Sequence, residues 1–242
     1  RGLGDVYKRQ FKNFMQNNIA ENIKRIKFQI NNTCKACHRN DDEIKLIAVS
    51  KKKSPELIKL AIENGITNFG ENYAQELFEK FKVLESNNII WHFIGPIQSN
   101  KIKSIAKCAN WVHSLDREKI IRKLDLECKK NNKLINGCIQ INVSMEDSKS
   151  GCLPEEMFDI AKLIESMKNM KLKGIMALPK LTDNRFEKEL LMKKVKDLSD
   201  SLVKKYPNAG SISLGTTSDF EEAITHGSNM LRIGESIFGK RL

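Results

Sequence analysis

The feature that most constrains the fold of this chain is the regular alternation of short apolar segments with longer amphipathic ones. Segments such as "IKLIAVS" (44–50) and "GCIQINVS" (137–144) are rich in β-branched residues, as buried parallel strands are. Each is followed by a stretch such as "PELIKLAIENG" (55–65), in which apolar residues recur with the helical period. About eight such units predict an α/β fold, specifically a single closed (β/α)8 TIM-type barrel.

An amphipathic helix over "FMQNNIAENIKRIKFQI" (14–30) precedes the first strand and is predicted to be additional to the barrel. No linker rich in Pro, Gly or Ser divides the chain, so residues 11–242 are predicted to form a single domain. Residues 1–10, "RGLGDVYKRQ", are interpreted as a non-native or disordered leader. The alternative architecture is a doubly wound open sheet, which the same order of elements allows.

The composition limits the functions that such a barrel can have. The formal net charge is +12, but the lysines are spread along the chain, and aromatic residues make up only 7%. We therefore expect no main role in nucleic-acid binding. No apolar stretch approaches the roughly 20 residues of a membrane span, so no membrane partner is predicted. Six cysteines without a secretory signal favour reduced thiols and a cytoplasmic location.

Three segments at predicted strand ends indicate where a site would form. Lys51 follows the first strand, "SLGTTSDF" (213–220) ends the seventh and "RIGES" (232–236) ends the eighth. Active sites of (β/α)8 barrels lie at these carboxyl ends, with phosphate commonly held after strands seven and eight. Because closure places strand eight beside strand one, we predict a phosphate site next to Lys51. For either loop alone, an ordinary helix start is the alternative.

A lysine beside a phosphate site in an α/β barrel points to pyridoxal 5′-phosphate (PLP), held as a Schiff base. Only a neutral amine attacks the aldehyde, so burial or neighbouring cations must lower the pKa of the reactive lysine from about 10.4. Side chains two apart on a strand face the same way, so Lys51 shares the face of Val49 and Ile47. Lys52 should point the other way, and Lys53 already lies in the following turn. The alternative is that Lys51 is merely the solvated end of a strand.

Longer motifs carry a more specific resemblance. They include "LIAVSK" (46–51), "WHFIGPIQSNK" (91–101), "INVSMEDSKSG" (141–151) and "SLGTTSDFEEAI" (213–224). With these motifs the chain closely resembles the pyridoxal phosphate homeostasis proteins, which are single-domain relatives of the barrel half of alanine racemase. The resemblance extends over nearly the whole chain apart from the first helix.

The resemblance implies a non-catalytic protein that holds PLP, releases it and so maintains its intracellular level. Lys51 would carry the Schiff base, and Asn72 would line the pocket. Arg232 would face the pyridine nitrogen and keep it unprotonated, which suits binding and release better than carbanion chemistry. The cofactor-binding residues that the resemblance implies are Lys51, Asn72, Ser213, Thr217, Arg232, Gly234 and Glu235.

The phosphate contacts implied by the resemblance include two departures from the family pattern. Ser213 and Thr217 would bind phosphate oxygens, together with the backbone N–H groups of Gly234 and Glu235. The family commonly has Gly-Met-Ser where this chain has Gly-Thr-Thr at 215–217, which still leaves a hydroxyl. It commonly has Thr at the position of Glu235, so we expect Glu235 to contribute its backbone only.

Two other classes of function remain as alternatives. A small amino-acid racemase would need a second acid or base opposite Lys51, and Tyr73 is the one tyrosine expected on that side of the barrel. A basic scaffold protein would use the high charge. For the favoured function we expect PLP-dependent apo-enzymes as partners and a monomer rather than a dimer.

Several other residues are further candidates for a functional role. "CKACH" (34–38) matches a haem-attachment pattern, but we interpret its cysteines as surface residues and predict no metal site. His92 is expected to be a hydrogen-bonded histidine of the barrel interior, with proton transfer as the alternative. His113 and His226 are interpreted as structural. Lys149, after the fifth strand, is a candidate second contact for an anion.

Overall fold

The computed structural model describes residues 2–146, 150–180 and 182–239. Eight parallel strands lie within these ranges: β1 (Lys45–Val49), β2 (Asn68–Glu71), β3 (Ile90–Phe93), β4 (Trp111–Leu115), β5 (Ile135–Ile141), β6 (Met170–Ala177), β7 (Ser211–Ser213) and β8 (Met230–Ile233). They pair in chain order, and β8 pairs with β1 to close the barrel. The predicted (β/α)8 barrel is confirmed, and the alternative of an open sheet is wrong.

The helices surround this barrel. They are α1 (Gly2–Ala36), α2 (Pro55–Glu63), α3 (Ala74–Val83), α4 (Ile102–Cys108), α5 (Glu118–Lys130), α6 (Met157–Glu165), α7 (Arg185–Lys205), α8 (Phe220–Thr225) and α9 (Glu235–Phe238). Fully buried side chains such as Ile58, Leu77, Ile105 and Leu124 belong to the core between helices and strands. Each such burial contributes about 1.5–3 kcal/mol relative to an exposed side chain. None of the described helices has the length and apolar character needed to cross a bilayer.

Helix α1 lies outside the barrel and packs against α2, α8 and α9. Its buried apolar face is formed by side chains three or four residues apart, Ile19, Ile23, Ile26 and Ile30. The amide of Asn22 donates to the carbonyl of Ile237 at 3.1 Å, so α1 joins the end of the barrel to its beginning. The helix runs back to Gly2. Our interpretation of residues 1–10 as a leader stays a prediction.

Part of the barrel interior is polar, in contrast to the Val, Ile and Leu that dominate most such interiors. His113 on β4 contacts Ser213 on β7, on another side of the closed barrel, which places both side chains in the lumen. His92 on β3 and Arg232 on β8 join the same set and are also buried. As predicted, His92 is a hydrogen-bonded interior residue.

Candidate functional site

A cavity of about 550 Å³ lies at the carboxyl ends of the strands. This volume is within the range of small-molecule sites. Six of the seven predicted site residues line it: Lys51, Asn72, Thr217, Arg232, Gly234 and Glu235. The structure therefore brings together residues that are up to 184 positions apart in the sequence, at the edge of the barrel where the predicted phosphate loops meet β1.

Lys51 follows the last residue of β1 by two positions, and its half-buried side chain lines the cavity. The next residue, Lys52, has a left-handed backbone with φ of 59° and an exposed side chain. Lys53 lines the cavity as well, and its ammonium donates to the carbonyl oxygens of Phe238 and Gly239 at 3.4 and 3.1 Å. In this turn the side chain of Lys52 is exposed, whereas the side chains of Lys51 and Lys53 line the cavity together with Arg232.

A buried ion-pair cluster, which the sequence analysis missed, supports the backbone on both sides of Lys51. We call Glu71, Glu76 and Lys80 the Lys80 cluster. The Lys80 ammonium donates to Glu71 Oε1 at 2.8 Å, to Glu76 Oε2 at 2.9 Å and to the carbonyl of Ser50 at 2.7 Å. Glu76 Oε2 also accepts the backbone N–H of Lys52 at 2.7 Å. The residues before and after Lys51 are thus held by one cluster.

The two carboxylates of the Lys80 cluster have pKa values shifted in opposite directions. Burial raises the pKa of Glu71 despite the neighbouring Lys80, since Glu71 Oε2 is buried and has no hydrogen-bond partner within the described chain. Burial also opposes ionisation of Glu76, but hydrogen bonds from Lys80 and from the backbone of Lys52 outweigh it and lower the pKa of Glu76. Glu71 is therefore the carboxylate whose charge depends most on Lys80.

Arg232 forms the inner wall of the cavity, and its side chain is 5% exposed. Its NH1 donates to Ser213 Oγ at 2.5 Å and its NH2 donates to the carbonyl of Ala177 at 2.9 Å. Burial lowers the pKa of Arg232 to about 10, which still leaves the guanidinium charged at neutral pH. Arg232 is therefore a fixed cation at the base of the cavity.

The structure gives Ser213 a different environment from the predicted one. Ser213 is the last residue of β7, it is fully buried, and it is absent from the cavity lining. Its hydroxyl lies between Arg232 and His113, at 2.5 and 2.8 Å. Since β7 continues through Ser213, its side chain points into the barrel rather than toward the loop that follows. The predicted phosphate contact of Ser213 stays a prediction.

The loop after β7 supplies the hydroxyl groups on the other wall of the cavity. Gly215 has φ of +93°, and a Cβ there would lie 2.7 Å from the side chain of Ala223, so this turn requires glycine. Its carbonyl accepts the backbone N–H of Arg232 at 3.0 Å, which fixes the loop against β8. Thr216, Thr217 and Ser218 all line the cavity, and the Thr216 hydroxyl donates to Asp219 Oδ1 at 2.8 Å.

Asn72 and Glu235 complete the lining. Asn72 Oδ1 is buried and has no hydrogen-bond partner among the described residues. The Asn72 backbone packs so closely on Gly95 that a Cβ at Gly95 would lie 2.1 Å from the Asn72 carbonyl oxygen. This contact explains the glycine in the "WHFIG" motif. Glu235 has an exposed side chain, consistent with a contribution from its backbone.

The two buried histidines are uncharged. Burial lowers the pKa of His92 to about 3 and that of His113 well below its ordinary value. His92 Nδ1 lies 2.9 Å from His113 Nε2, and His92 Nε2 lies 2.9 Å from Asn68 Oδ1. His226 is different, since its ring contacts the carbonyl of Glu222 at 2.9 Å near the protein surface.

These pKa shifts predict a loss of stability in mild acid. Below about pH 6.5 the unfolded chain binds a proton at each histidine that the folded state excludes, so stability falls by about 2.7 kcal/mol per pH unit for His92 and His113 together. Urea unfolding between about pH 7 and pH 4.5 measures this slope. His113→Asn should reduce it by about half. Equal slopes for wild type and His113→Asn would contradict the prediction.

The remaining predictions concern Lys149, the cysteines, a metal site and Tyr73. Lys149 lies outside the described residues. All six cysteines are free thiols. Cys34 is buried near the end of α1, so our interpretation of it as a surface residue is wrong, whereas Cys37 is half-buried. In the described part of the chain, no group of three or more His, Cys, Asp or Glu side chains could hold a metal ion. Tyr73 is half exposed, and the cavity lining does not include it.

Comparison with known proteins shows the fold class and the family of this chain. The family model for the alanine racemase N-terminal domain matches residues 16–241. A pyridoxal phosphate homeostasis protein from Haemophilus influenzae is 44% identical, over 93% of this chain and 96% of its own length. The described fold thus defines a barrel of the alanine racemase type. The chain belongs to the pyridoxal phosphate homeostasis protein family.

Solved structures have the same fold. PipY of Synechococcus elongatus PCC7942, solved with PLP bound, has a TM-score of 0.79 and 24% identity, over 91% of this chain and 100% of that one. The alanine racemase of Clostridium difficile 630 has a TM-score of 0.72 and 16% identity, over 93% of this chain but 57% of the racemase. The chain thus matches little more than half of that racemase.

Proposed function

We propose that this protein is a non-catalytic PLP-binding protein that holds the cofactor in the cavity at the carboxyl ends of the strands and so maintains its supply. The observation that carries the proposal is the arrangement of Lys51, Thr217 and Arg232 around one cavity of about 550 Å³. The relative from Haemophilus influenzae, 44% identical, is named for PLP homeostasis, which supports the same function here.

The residues of the cavity suit the chemical groups of PLP. The hydroxyl of Thr217 and the backbone N–H groups of Gly234 and Glu235 would bind the phosphate. The buried Oδ1 of Asn72, which has no partner within the described chain, offers an acceptor to a donor of the cofactor. Arg232 would face the pyridine nitrogen. We now assign Ser213 to the support of Arg232 rather than to the phosphate.

The covalent contact would be made by Lys51. When bound, PLP supplies an aldehyde that condenses with a neutral amine to a Schiff base with loss of one water. The Lys80 cluster holds the backbone of Ser50 and Lys52, which keeps the Lys51 side chain over the cavity. A charged Arg232 has no proton acceptor, and its positive charge disfavours protonation of a nearby pyridine nitrogen.

A racemase fits this site less well. The titratable groups that line the cavity in the described residues are Lys51, Lys53, Arg232 and Glu235. The Lys53 ammonium donates to two backbone carbonyls, and the Glu235 side chain is exposed. Neither is placed as the second acid or base that two-base proton exchange requires. The proposal therefore includes no turnover, with PLP-dependent apo-enzymes as recipients, a cytoplasmic location and a monomeric state.

The first experiment is a visible absorption spectrum of the purified protein titrated with PLP. We expect a new band that borohydride removes, with the pyridoxyl mass on Lys51 after peptide mapping. Addition of L-alanine to the same sample should produce no D-alanine. A label spread over many surface lysines would contradict the proposal and favour the basic scaffold, and D-alanine would favour the racemase.

A further inference from the structure

We propose that His113 and His92 are positioning residues, which together with Ser213 form a hydrogen-bonded chain of one fixed direction that holds Arg232 at the cavity. The chain runs from Arg232 through the barrel to Asn68 near the amino ends of the strands. Its consecutive distances are 2.5, 2.8, 2.9 and 2.9 Å. The importance of Arg232 for ligand binding rests on the proposed function. The direction of the hydrogen-bonded chain does not depend on that function.

The direction is set first at the Arg232 end. A guanidinium has N–H donors and no acceptor, so Ser213 Oγ must accept from Arg232 NH1. The hydroxyl hydrogen of Ser213 then needs an acceptor elsewhere. His113 Nδ1, at 2.8 Å, is the other polar atom in contact with this hydroxyl in the described structure, so Ser213 donates to it.

The direction is set independently at the Asn68 end. The side-chain amide nitrogen of Asn68 donates to Thr67 Oγ1 at 3.1 Å, which leaves Asn68 Oδ1 as the acceptor toward the barrel. His92 Nε2, 2.9 Å from this oxygen, must therefore carry the hydrogen. Each end requires donation toward Asn68, and the two requirements agree.

The two ends together define the tautomer of each histidine. An uncharged His92 with hydrogen on Nε2 has a lone pair on Nδ1, which accepts from His113 Nε2. An uncharged His113 with hydrogen on Nε2 has a lone pair on Nδ1, which accepts from Ser213. Each of the four ring nitrogens thereby takes part in one hydrogen bond, and both rings are Nε2–H tautomers.

Burial keeps both rings neutral, and the neighbouring cations act in the same direction. The charged side chains that face them are Lys45 from β1 and Arg232 from β8. A proton added to His113 Nδ1 would face the hydroxyl of Ser213, which itself accepts from a cation. The chain therefore cannot reverse, and Ser213 remains an acceptor for Arg232. With NH2 on the Ala177 carbonyl, the guanidinium is held at two points.

The direction can be tested without any cofactor. Long-range ¹⁵N–¹H spectra of the apo protein, assigned with single histidine variants, report the tautomer of each ring. We expect His92 and His113 to be neutral Nε2–H tautomers throughout the range of pH in which the protein is folded. A Nδ1–H tautomer or a charged ring at either position would overturn the proposal, whatever the protein does with PLP.

The positioning role is tested by PLP affinity in two variants of His113. In His113→Asn, Oδ1 replaces Nδ1 and still accepts from Ser213, whereas His113→Leu removes the acceptor and fills more of the space. We expect the Leu variant to bind PLP about tenfold more weakly than wild type, the loss of about one buried hydrogen bond, and the Asn variant to bind within about threefold. A role in packing alone predicts the opposite order.

His226→Leu, at a half-buried position outside the barrel lumen, serves as the matched control and should bind PLP as wild type does. Urea unfolding of each variant shows whether it is folded at the temperature of the titration. Equal affinities of the Leu and Asn variants would overturn the positioning role. Absence of PLP binding in wild type would instead contradict the proposed function. The NMR test of the histidine tautomers would still decide the direction of the hydrogen-bonded chain.

Discussion

The Lys51→Ala variant is expected to lose all covalent PLP and to unfold at nearly the same urea concentration as wild type. Lys51 contributes the amine that the Schiff base requires. Among the described residues, the other lysine that lines the cavity is Lys53, whose ammonium donates to two backbone carbonyls. Its side chain is half-buried at the end of β1, so its removal should change the free energy of unfolding by less than about 1 kcal/mol. Borohydride trapping and peptide mass mapping measure the covalent label, and urea unfolding measures the stability.

Lys52→Ala and Lys53→Ala are the matched controls for this prediction. Lys52 is exposed and directed away by its left-handed backbone, whereas Lys53 lines the same cavity and donates to the carbonyl of Gly239. Both controls should retain full label on Lys51. A pyridoxyl mass on Lys53 in the Lys51→Ala variant would show that the cavity, rather than one placed amine, determines where PLP binds.

The Lys80→Met variant is expected to lose about 3–5 kcal/mol of unfolding free energy, which is the usual cost of an uncompensated buried charge. Lys80 is 6% exposed, and its removal leaves the fully buried Glu71 without a cation. The loss should shrink in acid. Because the folded pKa of Glu71 lies above its unfolded value and would rise further, protonation of Glu71 relieves the penalty as pH falls through that folded pKa.

Lys82→Met is the matched control, since Lys82 lies on the same helix, is exposed and has its ammonium 4.3 Å from the centre of the Phe78 ring. It should cost less than about 1 kcal/mol. Combination of Lys80→Met with Glu71→Gln should recover part of the loss. Urea unfolding of each variant and wild type at matched pH gives these differences. A loss for Lys80→Met that does not depend on pH would refute the assignment to Glu71.

The barrel and the position of Lys51 in the cavity lining could be predicted because both depend on local patterns. Apolar runs such as "IKLIAVS" identify strands, and the carboxyl ends of parallel strands are known to lie on one face. Lys51 and the loops after β7 and β8 follow from that rule, whereas the roles of Arg232 and Thr217 came from the family resemblance. No distance between side chains is needed to place them near one another.

The supporting residues could not be predicted because they depend on side-chain contacts between distant elements. Lys80 contacts a carboxylate nine residues away and a carbonyl 30 residues away. His92 and His113 stand in recognisable motifs, but their union with Ser213 requires the lumen of a closed barrel. The contacts of Ser213 with His113 and Arg232 were not predicted, since at the end of β7 a single residue decides whether a side chain faces the lumen or the loop.

The position of α1 has a consequence for synthesis on the ribosome. This first helix is covered by α2, α8 and α9, and the contact of Asn22 with Ile237 spans 215 residues. During translation the isoleucine face of α1 therefore stays exposed until α8 and α9 have left the exit tunnel. Closure between β1 and β8 is a non-local and late event. Nascent chains that stall before β8 should consequently expose this face to chaperones and proteases.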